Sequence, residues 1–226
     1  MRIISVIPAR GGSKGIPGKN IRLLCGKPLI VHSVEQAKAA EYITDVYVTT
    51  DDADIANAAS NAGAEVIMRP ASLSGDMASS ESALKHVLQS LKAEFDYVVF
   101  LQCTSPIRAE DDIDNAVKTI RDKEADSLLS VVQSHKFLWC EKDGQGQSIN
   151  YDYRNRPRRQ DMNIQYMENG SIYIFKPWVL LELDNRLGGE IALYPMAPNS
   201  TIDIDVESDF ISAELTMQNA KGLKCT

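Results

Sequence analysis

The feature that most constrains this chain is the alternation of short β-branched runs with stretches of helical spacing. The runs fall at Ile3–Ile7, Val46–Thr49, Glu65–Met68, Tyr97–Leu101, Leu128–Val132, Ser171–Phe175 and Ile191–Tyr194. Between them, helical spacing covers 29–40 behind Pro28, 53–62 ending at Gly63, 80–91, and 111–122 with acids in its first turn. Strands that are apolar on both faces and linked by helices predict an α/β fold, a three-layer, doubly wound, mostly parallel sheet covered by helices. Ligands of such sheets collect outside the carboxyl ends of the strands, so the loops after strands are where chemistry is expected. With 226 residues, 44% of them hydrophobic, the chain suits a single domain over 1–226. The stretch 134–169 breaks the rhythm. Its glycines, tyrosines, Trp139 and basic cluster Arg154, Arg156, Arg158 and Arg159 read as an insertion that packs against something else, with a subunit contact as one candidate.

Charge narrows the ligand. Residues 1–34 carry +6 with no acid, while the rest of the chain carries −13. A basic opening on an acidic body suits a small polyanion and argues against nucleic acid, whose binders show a broad basic face. No run approaches the ~20 apolar residues of a bilayer span, and the opening apolar run is too short for a secretory core, so no membrane partner and a cytoplasmic location are expected. Cys25, Cys103, Cys140 and Cys225 form no C-x-x-C pair, which argues against zinc, redox and disulfide frameworks.

The loop Pro8–Asn20 follows the first strand and mixes glycines with Arg10, Lys14 and Lys19. Glycines let backbone N–H groups turn toward an anion and the cations match a triphosphate. It is not a Walker A loop, because Ser13 and Asn20 stand where that pattern needs Gly and Ser or Thr, and it does not match G-x-G-x-x-G. Near the other end, Ile202-Asp203-Ile204-Asp205 alternates, so an extended backbone would send both carboxylates to one side. Two carboxylates facing one point repel unless a cation separates them, and Mg2+ is the hard ion that shares such ligands with phosphate. A solvated acidic edge is the other reading.

The string Ala9-Arg10-Gly11-Gly12-Ser13-Lys14-Gly15-Ile16-Pro17, with Lys19-Asn20, resembles the opening signature of the acylneuraminate cytidylyltransferases, a family of sugar nucleotidyltransferases. Further segments agree in order: Arg69-Pro70 with Ala78-Ser79-Ser80, then 101–108, Arg159-Gln160, 169–173 and 202–205. The resemblance implies a Rossmann-like fold and transfer of CMP from CTP to the anomeric hydroxyl of a nine-carbon 2-keto sugar acid, of sialic, legionaminic or pseudaminic type, releasing pyrophosphate. It further implies a homodimer with 134–169 reaching toward the partner subunit. Arg10, Gly11, Ser13, Lys14, Lys19, Asn20, Arg69 and Ser80 would bind CTP, with Arg10, Lys19 and Asp205 catalytic. Gln102, Arg159 and Tyr173 would meet the sugar acid, the partner substrate in this nonulosonic acid reaction, and Asp203 and Asp205 the metal.

Several of these residues have a second reading. Ser80 also suits a helix N-cap, Arg69 a surface arginine at a strand end, Gln102 a buried amide tying the following turn, and Tyr173 plain core. Arg158 stands beside Arg159, so that assignment can slip by one. Met167-Glu168 replaces an arginine that sialate-activating members carry before Asn-Gly, and inclines the reading toward a diacylated deoxy acid. An eight-carbon keto sugar acid and an inactive nucleotide-binding dimer module remain as rival functions.

Overall fold

The computed structural model describes residues 1–13, 15–75 and 78–220. In chain order the elements are β1 (Ile3–Pro8), β2 (Leu23–Leu24), β3 (Lys27–Pro28), α1 (Leu29–Ala39), β4 (Asp45–Thr50), α2 (Ala53–Asn61), β5 (Glu65–Met68), α3 (Ser80–Leu91), β6 (Tyr97–Leu101) and α4 (Asp112–Asp122). They continue with β7 (Ser127–Ser134), β8 (Trp139–Lys142), β9 (Gln145–Ser148), β10 (Gln165–Phe175), α5 (Pro177–Leu183), β11 (Ile191–Pro195) and α6 (Glu207–Ala220).

Among the described residues a seven-stranded sheet runs in the order β11-β7-β10-β6-β1-β4-β5. All neighbours are parallel except β10, which lies antiparallel between β6 and β7. The period of two along each strand sorts the core into two layers. Ile3 and Ile7, Val99 and Leu101, and Ile172 and Ile174 face α1, α2 and α4. Ile4 and Val6, Val98 and Phe100, and Tyr173 and Phe175 face α3 and α5. The expected three layers are therefore present. A third cluster joins Phe210 and Ala213 of α6 to Ile16, Leu24, Leu29 and Ile204, anchoring the chain's last helix beside its first loop. No described helix is long and apolar enough to cross a membrane.

Local chemistry fixes the helix starts nearest the cleft. Asp52 caps α2 by accepting from the N–H groups of Asp54 and Ile55, each at 2.9 Å. Ser79, not Ser80, caps α3, accepting from Ser82 N–H at 3.2 Å. The capping reading of Ser80 is thereby corrected by one residue, and such a cap stabilises by about 1 kcal/mol.

The stretch 134–169 departs from expectation in a specific way. It holds the β8–β9 hairpin, and its aromatics pack on one another rather than into the core: Phe137 on Tyr151 at 4.3 Å, and Trp139 beside Tyr151 and Tyr153 at 5.9 and 5.8 Å between ring centroids. Trp139 stays 49% exposed and Tyr153 51%. β7 and β10 pair as far as Ser134 and Gln165, past the last β10–β6 pair at Leu101 and Ile172, which places this excursion at the ligand edge of the sheet.

Candidate active site

The loops after β1, β5 and β6 converge at the carboxyl edge, where the order reverses between β1 and β6, the position at which doubly wound sheets bind ligands. They enclose a cleft of about 380 Å3 lined by Arg10, Ser13, Gly15, Lys19, Asn20, Arg69, Ala78, Ser79, Ser80, Phe100, Gln102, Cys103, Thr104 and Asp205. Seven residues assigned to nucleotide, catalysis or sugar from sequence thus meet here in company with Asp205: Arg10, Ser13, Lys19, Asn20, Arg69, Ser80 and Gln102. Lys14 lies outside the described residues.

Lys19 is the junction. Its side chain is only 11% exposed, and Nζ donates to the carbonyl of Ile204 at 2.5 Å and to Asp205 Oδ1 at 3.2 Å. The basic loop and the acidic segment, at opposite ends of the chain, thus meet through one ammonium. Their backbones touch as closely: a Cβ on Gly15 would stand 2.2 Å from the Asp205 carbonyl oxygen. Asp209 holds this acidic turn by accepting from Asp205 and Val206 N–H at 3.0 and 2.9 Å, bonds that keep its carboxyl below the usual range.

Arg69 is buried in the cleft wall rather than exposed at a strand end. It is 9% exposed, and Nε and Nη2 are buried without a hydrogen-bond partner, with Asp51 at 3.9 Å. Burial holds its guanidinium below its ordinary pKa, Asp51 opposes that, and Arg10 adds to it. Unmet buried donors each cost about 1–3 kcal/mol, which an acceptor atom of a ligand would offset. Ser80, released from capping, stands beside it in the wall.

Other assigned residues make structural contacts. Gly11 is not in the cleft wall; its N–H donates to Asp51 Oδ1 at 3.1 Å, and a Cβ there would stand 2.5 Å from Asp52 Oδ2, so the glycine is required by packing against the β4 end. Asn20 is buried, donating to Arg10 O at 2.9 Å and accepting from Cys103 Sγ at 3.1 Å, which makes it a brace of the loop. Burial raises the Cys103 thiol to about 11, so it stays protonated. Tyr173 is core, 3% exposed, stacked on Phe100 at 5.4 Å, with its hydroxyl donating to Glu168; burial and then that carboxylate raise its pKa. Arg159 is exposed on the excursion and outside the cleft of its own chain, while Arg158 pairs with Asp161.

The 202–205 segment is not a strand, but its alternation holds: Ile204 is buried, while Asp203 and Asp205 are exposed. Asp203 accepts from Ser105 Oγ at 3.3 Å. Among the described residues no three His, Cys, Asp or Glu side chains gather at one point. The donor set fits magnesium nonetheless, since that ion takes one or two carboxylates and completes its shell with phosphate and water oxygens. Asp51, Cys103, Thr104 and Asp209 were not assigned from sequence; the rule that loops after strands carry chemistry pointed to the first three, and the family-like segment 101–108 contains Cys103 and Thr104.

This architecture defines the chain as a doubly wound α/β protein with a glycine-rich cationic loop at the sheet switch point. It matches the family model described as Cytidylyltransferase over residues 4–224 and belongs to that family. An N-acylneuraminate cytidylyltransferase of Oncorhynchus mykiss is 38% identical over 217 residues, 94% of this chain and 49% of that protein. The one of Escherichia coli O18:K1:H7 is 33% identical over 224 residues, 98% and 53%. The chain spans about half the length of these relatives. Post-translational flagellin modification protein B of Campylobacter coli is 31% identical over 223 residues, 96% of this chain and 95% of that one. Among solved structures, a CMP:2-keto-3-deoxy-manno-octonic acid synthetase complexed with CTP superposes with a TM-score of 0.74 at 21% identity, over 97% of this chain and 100% of that chain.

Proposed function

We propose that this chain transfers CMP from CTP to the anomeric hydroxyl of a nine-carbon 2-keto sugar acid, releasing pyrophosphate. The observation that carries the reading is the Lys19 junction, which sets a cationic, glycine-lined loop against Asp205 in one cleft. The names of the relatives support the same reaction class. In this reading Arg10 and Lys19 receive the triphosphate and stabilise charge as it grows on the leaving pyrophosphate, Arg69 and Ser80 meet the cytidine, and Gln102 meets the acceptor at the far side of the cleft. Asp203 and Asp205 would hold a magnesium ion, which when bound draws charge from the phosphate under attack. Asp205, the assigned carboxylate in the cleft wall, would take the acceptor hydroxyl's proton.

The test is a panel of purified keto sugar acids incubated with CTP, following pyrophosphate. Release with a nine-carbon acid and not with an eight-carbon one is expected; the reverse preference would move the acceptor, and no release with any would leave a binding module. A second variant addresses the ion. Asp205→Asn should flatten the dependence of rate on magnesium concentration, and an unchanged titration curve would place the ion elsewhere.

We also infer a homodimer built on the excursion. Leu138, Trp139, Ile149, Tyr153 and Ile164 are 49–64% exposed there, an apolar surface of the kind that marks a protein contact. Pairing through it would let Arg159, idle in its own subunit, approach a neighbouring cleft. Sedimentation should give a dimer for the native chain and a monomer for Trp139→Glu with Ile164→Glu; a native monomer would refute the assignment.

A further inference from the structure

Arg108 sits outside the cleft wall but beneath it. Nη2 donates to the carbonyls of Gln102 at 2.8 Å and Ser171 at 2.9 Å, while Nη1 donates to Gln36 Oε1 at 2.8 Å and Ser33 Oγ at 3.2 Å. Its Nε is buried without a partner, and among the described residues no carboxylate lies within ion-pair distance. Burial lowers its pKa to about 10. A cation turned inward onto neutral acceptors is costly, and folding alone would be served by an apolar side chain of the same volume.

What the guanidinium does is geometric. β6 ends at Leu101, and the next rung, Gln102 N–H to Ser171 O, is long at 3.4 Å. On the other strand, whose pairing with β7 shifts register between Glu168 and Tyr173, Gly170 takes φ +69° and lies so close to Gln102 that a Cβ would stand 3.2 Å from Oε1. The ladder therefore fails just where Gln102 must be aimed. Arg108 closes that end by gripping both carbonyls from one side and bracing against α1 on the other, a task the planar fork performs and a lysine point charge does not. The same loop carries Ser105, whose Oγ donates to Asp203, and Thr104, whose carbonyl accepts from Ile204 N–H at 2.8 Å.

We propose that Arg108 is a positioning residue of the acceptor half of the cleft, acting through Gln102: it fixes the end of β6 against the β10 irregularity so that the Gln102 amide presents one face to the sugar acid. This rests on the reading of Gln102 as an acceptor contact. The consequence is selective, because the nucleotide half is built on the β1 and β5 loops, which Arg108 does not touch.

The experiment is a double-mutant cycle on the full chain. Arg108→Lys should raise the KM for the sugar acid about tenfold or more and leave CTP affinity within about twofold, a misplacement effect on one substrate only. Gln102→Ala should do the same, and the double variant should be no worse than Gln102→Ala alone, the non-additivity expected of two residues acting as a unit. Losses that multiply, or that fall equally on CTP and acceptor, would overturn the proposal. If Arg108→Lys does not fold, Gln36→Ala removes a brace of the guanidinium from outside the cleft and should shift the acceptor KM in the same direction by a smaller factor; an unchanged KM there would count against it. Amide exchange separates this proposal from the reaction itself: Arg108→Lys, or Gln36→Ala in its place, should speed exchange at 102–105 and leave 9–13 unaltered, even in a protein that releases no pyrophosphate. Unchanged exchange at 102–105 would refute the clamp whatever the activity.

Discussion

Lys19→Ala is expected to lower turnover about a thousandfold, with CTP affinity falling by a much smaller factor. The asymmetry follows from where the ammonium sits. Its side chain is 11% exposed and already tethered to the Ile204 carbonyl and Asp205, so it is held in place before the substrate arrives. A prearranged donor matters most when charge grows on the leaving oxygen, and losing one such donor from a site shielded from water costs about 10²–10³ in turnover. Here the same substitution also releases the acidic turn, so the upper end of that range is expected. Ground-state binding depends less on this one group, because Arg10 shares the triphosphate in the proposed arrangement. Pyrophosphate release under saturating substrates measures the first quantity and calorimetric titration with CTP the second. Lys19→Arg should rescue little, since a planar fork cannot occupy the point between Ile204 O and Asp205 Oδ1. A turnover within tenfold of the native value would remove Lys19 from the chemistry.

The legible and illegible parts of this chain divide along a physical line. β5, β6 and α3 fall on the residues where their patterns placed them: β6 is an apolar run buried on both faces, α3 shows its buried stripe at helical spacing, and β5, at the sheet's edge, is a short β-branched run that stays half-buried. β10 extends six residues earlier than its apolar run, since its first half is polar and exists by pairing with β7, a tertiary cause invisible in local sequence. α5 has seven residues and too few turns to show a period, and α6 begins beside the acidic segment, where its first-turn acids Glu207 and Asp209 merged with the aspartates before them. The cleft shows the same division. Arg10 and Lys19 were recognisable by residue type and loop position, whereas the roles of Arg69, Ser80 and Gln102 came from the family resemblance. The Lys19–Asp205 contact joins positions 186 apart and needed the fold, as did the discovery that Gly11 and Asn20 serve the loop's packing. Arg108 was least legible of all: nothing in a Pro-Ile-Arg string says that its guanidinium turns inward.

The packing of the two loops yields a second large effect from a single methyl group. Gly15→Ala would place Cβ 2.2 Å from the carbonyl oxygen of Asp205, a backbone atom that cannot rotate away as a side chain would. The cationic loop and the acidic turn must then separate. The turn has little freedom to yield, since Ile204 is buried beneath it, its N–H is bound to Thr104 O, and Asp209 caps the two amides that follow. The displacement therefore falls on the β1 loop and on the Lys19 tether, moving the proposed phosphate and metal ligands apart. A shift near 1 Å between reacting groups costs about a hundredfold in rate, and at least that loss in kcat/KM is expected. Any loss of stability should be confined to the third cluster, where Ile16 and Ile204 pack, because neither sheet layer is touched. Gly12→Ala is the matched control: a Cβ there meets nothing within 4 Å, so activity should stay within a few-fold of native. Equal losses in the two variants would show that loop flexibility, rather than the contact with Asp205, is what the glycines provide, and a fully active Gly15→Ala would mean that the two loops need not touch for the cleft to work.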